Sequence, residues 1–99
     1  MSSPSFAAAA VADDSQLPLT ARFSVHARPE PGVMPRVLEL FAKRGLVPQR
    51  YLGTASDTAL TIEVQIGGLG RDTVDYIARC MRQIAEVEVV LTAEMPAPG

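Results

Sequence analysis

Ninety-nine residues with a formal net charge of −2 and no run of basic side chains make one domain for which nonspecific nucleic-acid binding is not favoured. A single cysteine, Cys80, excludes a disulfide framework and a thiolate metal cluster and fits a reducing, cytoplasmic setting. A chain this short buries about 60–65% of the surface its unfolded form exposes, so its own core gives thin stability and a partner subunit is expected.

No stretch is long enough to span a membrane. Residues 1–16 read as a disordered tail: Phe6 to Ala12 imitate a signal core, but no Lys or Arg precedes them and Asp13 and Asp14 follow at once. The domain is expected over 17–94, with a second tail at 95–99. Its first element is a strand, because Leu19, Ala21, Phe23, Val25 and Ala27 alternate with Thr20, Arg22, Ser24 and His26. His26 falls on the polar phase, where a solvent-facing imidazole is expected.

The prolines of Arg28-Pro29-Glu30-Pro31 force an extended or turning path into a helix. Met34, Val37, Leu38 and Phe41, at i, i+3, i+4 and i+7, give that helix an apolar face, and Gly45 suits a left-handed cap behind Lys43 and Arg44. Gly32 offers the non-helical conformation expected at the helix start, and Pro35 is tolerated in the first turn. Beside Gly32 the unpaired N–H groups carry about half a positive charge with no side chain in the way, so a carboxylate or phosphate has a place to dock. The same Pro-Gly pair also serves simply to turn the chain.

Leu46 to Thr54 reads as a second strand that Pro48 confines to a sheet edge or delays until after the proline. Ala55-Ser56-Asp57 turns into a third strand, where Leu60, Ile62, Val64 and Ile66 alternate with polar residues. Gly67-Gly68-Leu69-Gly70 lacks the lysine of a phosphate loop and reads as a turn. Val74, Ile77, Ala78, Met81, Ile84 and Ala85 stripe a second helix with Cys80 at the edge of its packed surface. Val87, Val89 and Leu91 then mark a fourth strand. The order is βαββαβ, an α+β, ferredoxin-like fold: a four-stranded antiparallel sheet in the order 4-1-3-2 with both helices on one face. Arg22, Ser24, His26, Glu63 and Gln65 are expected on the open face.

That fold hosts unrelated functions. Base-stacking aromatics are missing from the open face, a Cys-x-x-Cys from the first loop, and an Arg-ended glycine cradle from the turn after strand one. No Ser-His-Asp, Cys-His or paired-carboxylate constellation can be assembled, so a catalytic role is not expected. A regulatory binding module is left.

Phe23-Ser24-Val25, Pro31 to Leu38 and Phe41-Ala42-Lys43-Arg44-Gly45 together resemble an ACT domain. More narrowly, the Gly with an Arg four residues later, the helix-ending Arg-Gly, Ala55-Ser56-Asp57 with Ile62-Glu63, and Ile84 to Val89 resemble the short, single-ACT regulatory subunits of acetolactate synthase. The resemblance covers about residues 19–93. It implies a non-catalytic subunit that binds and activates the acetolactate synthase catalytic subunit in branched-chain amino acid biosynthesis. Thiamine diphosphate, Mg²⁺ and flavin would belong to that partner, leaving this chain no cofactor of its own. It also implies a homodimer, here with Tyr51 and Leu52 of the edge strand available for pairing, and an amino-acid effector held by Glu30, Pro31, Gly32, Val33 and Met34. Feedback-sensitive members carry Asn where this chain has Pro29 and Val47, and neither can hydrogen-bond an amino acid, so a weak valine response is expected. The alternative is a free-standing ACT sensor that binds its amino acid at a homodimer interface.

Overall fold

In chain order the elements are β1 (Leu19–Ala27), α1 (Val33–Ala42), β2 (Arg50–Ala55), β3 (Leu60–Gly67), α2 (Arg71–Arg82) and β4 (Val87–Pro96). The computed structural model describes residues 19–96, so the tail expected over 1–16 and residues 97–99 lie outside it. The strands form one antiparallel sheet in the order β2-β3-β1-β4, the arrangement read from the alternation of the sequence. Phe23 sits opposite Val64, and Val25 lies between Ile62 and Val90. These residues belong to one buried cluster with Val33, Val37 and Phe41 of α1 and Val74, Ile77, Ala78 and Met81 of α2. Both helices therefore cover the same face. The rings of Phe23 and Phe41 meet edge to face at 5.5 Å, joining the central strand to α1.

The open face carries Arg22, Ser24, His26, Glu63 and Gln65, as the alternation requires, and Glu63 is shared by Arg22 at 3.3 Å and Arg50 at 4.0 Å. Thr20, in the same polar phase, is nevertheless buried, between Gly67 and Met95 in register. β2 begins only after Pro48, and Met95 and Pro96 complete β4 opposite Thr20 and Leu19. The hairpin turn is held by Ser56, whose Oγ accepts from the N–H groups of Thr58 and Ala59.

Three readings of the helices need correction. α1 buries Val33, Val37 and Phe41, with Leu40 partly covered, while Met34 and Leu38 stay more than a third exposed, 37% and 40%. Two stripes one residue apart both satisfy helical spacing, and the one that starts at Val33 faces the core. Gly32 is the N-cap but has φ −81° and ψ −6°, a conformation open to any residue, so no left-handed freedom is used there. α2 stops at Arg82, which leaves Ile84 packed on the core from the following turn and Ala85 exposed. Gly45 does take the left-handed conformation, with φ +71°. There the Leu46 N–H donates to the Phe41 carbonyl and the Gly45 N–H to that of Ala42, the double closure that ends a helix at a glycine.

Candidate functional site

The first turn of α1 offers fewer free donors than a regular helix, because Pro31 and Pro35 have no N–H. The Val33 N–H donates to the Glu30 carbonyl at 3.2 Å and that of Arg36 to Gly32 at 3.4 Å. Gly32 and Met34 are left with N–H groups that find no backbone acceptor outside the helix among the described residues. Over Gly32 lies the guanidinium of Arg36: a Cβ on the glycine would sit 3.4 Å from its central carbon. The same guanidinium reaches the Glu86 carboxylate at 3.1 Å, across the molecule from the turn before β4. The corner thus combines two amide donors with a cation whose charge is already shared.

Beside it a cleft of about 270 Å³ is lined by Pro29, Glu30, Pro31, Met34, Ala55 and Leu60. Its walls are mostly apolar, with Glu30 the one acidic residue among them. Met34 also reaches β2, where its side chain lies on Gly53; a Cβ there would fall 2.6 Å from the Met34 methyl. Next to it the Tyr51 hydroxyl donates to the Met34 carbonyl. Burial pushes the Tyr51 phenol up to about 12, with the Leu38 backbone pulling weakly the other way. The Tyr51 hydroxyl is therefore committed to α1, whereas the Leu52 side chain is 45% exposed on the open face.

The sequence pattern of the ACT-like domain family matches residues 14–98. The chain belongs to that family. Its members are regulatory, ligand-binding domains, and the fold agrees. The crystal structure of the ACT domain from GTP pyrophosphokinase of Chlorobium tepidum superposes with a TM-score of 0.68 at 14% identity, covering 77% of this chain and 99% of that one. The solution structure of the same domain gives 0.65 at 15% identity, with 75% and 84% covered. The C-terminal domain of the MgtC protein from Mycobacterium tuberculosis gives 0.64 at 15% identity, with 85% and 93% covered. No curated protein matches the sequence significantly.

Within this ACT-like domain, Glu30, Pro31 and Met34 share the cleft, while Gly32 lies at the Arg36 corner. Val33 is fully buried with its N–H taken, so neither its side chain nor its amide faces a ligand. Pro29 lines the cleft, and Val47 stands 83% exposed in the loop after α1. Sequence reasoning missed Arg36, Ala55 and Leu60 as parts of this corner. The spacing of Gly32 and Arg36, one helical turn apart, carries the signal for the first; nothing local marks the other two, which the hairpin delivers. Chemically, the arrangement suits a small solute with an aliphatic group for the cleft, a carboxylate for the amide and guanidinium corner, and an ammonium for Glu30. Among the described residues no helix is long and apolar enough to cross a membrane, and no cluster of metal-ligating side chains forms.

Proposed function

We propose that this ACT-like domain is a non-catalytic regulatory subunit that binds and activates an acetolactate synthase catalytic subunit in branched-chain amino acid biosynthesis, acting as a homodimer. One observation carries the reading. The residues that resemble the short regulatory subunits come from separate segments, and Gly32, Arg36 and Glu86 among them meet at one corner, with the guanidinium over the glycine and on the carboxylate. A glycine under a guanidinium and an acid fifty residues further on form a physical unit, which makes their joint occurrence more than a helix signal.

Co-expression with an acetolactate synthase large subunit tests the proposal. A co-eluting complex with raised turnover is expected, and its absence at micromolar concentration overturns it. Light scattering of the isolated chain is expected to give a dimer mass.

The cleft favours a second reading, an amino-acid sensor that works without a synthase, because Glu30 and the Arg36 corner supply partners for both charged ends of an amino acid. Calorimetry against the twenty amino acids separates the two, since a tight ligand raises the unfolding temperature by mass action. Binding of a ligand outside the branched-chain set, with no synthase complex, selects the sensor. Pro29 and Val47 in place of hydrogen-bonding side chains lead to a weak response to valine.

A further inference from the structure

We infer that the groove between the end of α1 and the outer face of α2, centred on Tyr76, docks an acidic peptide segment of a partner protein. Tyr76 is 45% exposed, and two guanidiniums lie over its one ring: Arg44 at 4.6 Å from the centroid and Arg79 at 5.7 Å. Lys43 adjoins them at the end of α1. None of these three cations forms an ion pair among the described residues; Arg28 and Arg82 form none either, but Arg82 donates to the Val90 carbonyl, and Arg22, Arg36, Arg50 and Arg71 are all paired. The cluster stands out further because the chain as a whole is acidic, with a net charge of −2.

Two hollows share Arg44 and Tyr76 as walls. One, of about 150 Å³, runs toward Asp72 and Thr73; the other, of about 40 Å³, runs between the helices to Leu40, Ile77 and Cys80. The smaller has room for a methyl group and an apolar floor. Cation–π contacts on a half-exposed ring add only modestly to the fold, and here they bring two like charges close together. An incoming carboxylate between Lys43, Arg44 and Arg79 relieves that repulsion, and a neighbouring aliphatic side chain fills the small hollow. Asp72 sets the polarity: the acidic end of the segment lies toward Arg79 and Lys43, and a neutral or basic residue toward α2's first turn. Tyr and Arg are also the residue types that most often dominate protein interfaces.

This inference goes beyond the regulatory-subunit reading and rests on it only for the identity of the partner, so its test has two arms. In the first, the full chain labelled with nitrogen-15 is titrated with a short peptide repeating Glu-Glu-Leu and with its Gln-Gln-Leu counterpart. Amide shifts confined to Leu40–Gly45 and Asp72–Cys80, seen with the acidic peptide, absent with the neutral one and weakened by salt, are expected. R44E/R79E is expected to weaken binding about tenfold or more. Should that variant fail to fold, R44Q/R79Q takes its place. Equal binding of both peptides, or shifts centred on Glu30 and Met34, overturn the inference. In the second arm the same variants are mixed with the synthase large subunit. Wild-type binding that survives charge reversal removes the groove as the docking face and leaves the regulatory role standing. If the wild type does not bind, the regulatory role falls and the peptide titration alone decides the groove.

Discussion

At its first turn α1 is fastened by three contacts, two of them from β2. Tyr51 of β2 holds the Met34 carbonyl, the Met34 side chain lies on Gly53, and Arg36 is tied to Glu86 beside β4. At its last turn it is held by Phe41, by the partly covered Leu40 and by the glycine closure, and the cations there, Lys43 and Arg44, are left for the solvent and Tyr76. The two ends of one helix thus show how charge can be used. Where a guanidinium is paired within the chain its charge is already answered; where it is stacked but unpaired its charge stays available, which is why the proposed ligand corner and the proposed docking groove fall at opposite ends of α1.

The comparison breaks at its root if the helix loses its hold on the sheet. Phe41 is fully buried and meets Phe23 edge to face, so F41A is expected to cost about 3–5 kcal/mol by loss of buried area and by the cavity left behind. Against a total of roughly 5–15 kcal/mol for a domain, that is enough to unfold much of the population. Urea denaturation followed by circular dichroism measures it, and a cost below about 1 kcal/mol would mean that the site collapses around the change.

A smaller blow falls on the free end alone. Gly45 has φ +71° with open space where a Cβ would go, so G45A suffers only the backbone penalty, about 1–2 kcal/mol. Tm should fall while peptide binding at Tyr76 weakens only as far as the last turn frays. G32A is the internal contrast: with φ −81° its backbone is ordinary, and an added methyl meets only the tip of Arg36. Near-wild-type stability is expected there.

These two glycines show what was legible in the sequence. Gly45 follows Lys43 and Arg44 at the end of an apolar stripe, a local pattern whose cause is also local. The strand alternations and the sheet order were legible for the same reason, because one face of each strand must be buried. Gly32 was misread because its neighbour Arg36, and not its own torsion angles, defines the corner. Gly53 carried no signal at all: the side chain that lies on it is that of Met34, on a different element. Met34 was placed on the apolar face because its stripe and the stripe of Val33 fit the helix equally well, and only the packing against the sheet decides between them. Arg44 was read only as a cation at a helix end, because the ring it covers, that of Tyr76, belongs to α2.

Removing the Tyr51 hydroxyl sharpens the contrast at the fastened end. Y51F should cost about 0.5–1.5 kcal/mol near neutral pH, the usual net worth of one hydrogen bond. Its pH dependence carries more information. The Tyr51 phenol is raised from 10.0 to about 12 by burial, so the folded state holds its proton where the unfolded state has lost it. The contribution is therefore complete below pH 10.0 and declines as pH rises toward about 12. Wild type should lose stability more steeply than Y51F over that window. Parallel curves would mean that the hydroxyl is not buried against α1.

A small stability effect also belongs to the ion pair that neutralises the fastened corner. Arg36 is 58% exposed and Glu86 22% exposed, so R36A and E86Q are each expected to cost only about 0.2–1 kcal/mol, less in high salt. Their value lies in how they should differ toward ligands. R36A removes a cation that a carboxylate would meet, whereas E86Q releases that cation from its internal partner. An amino acid binding at the Gly32 corner should therefore bind more weakly to R36A and more tightly to E86Q, by thermal shift or calorimetry. R44E, at the other end of the helix, should change neither. If both corner variants move affinity in the same direction, the pair serves only to hold α1 against the turn before β4, and the ligand site lies elsewhere.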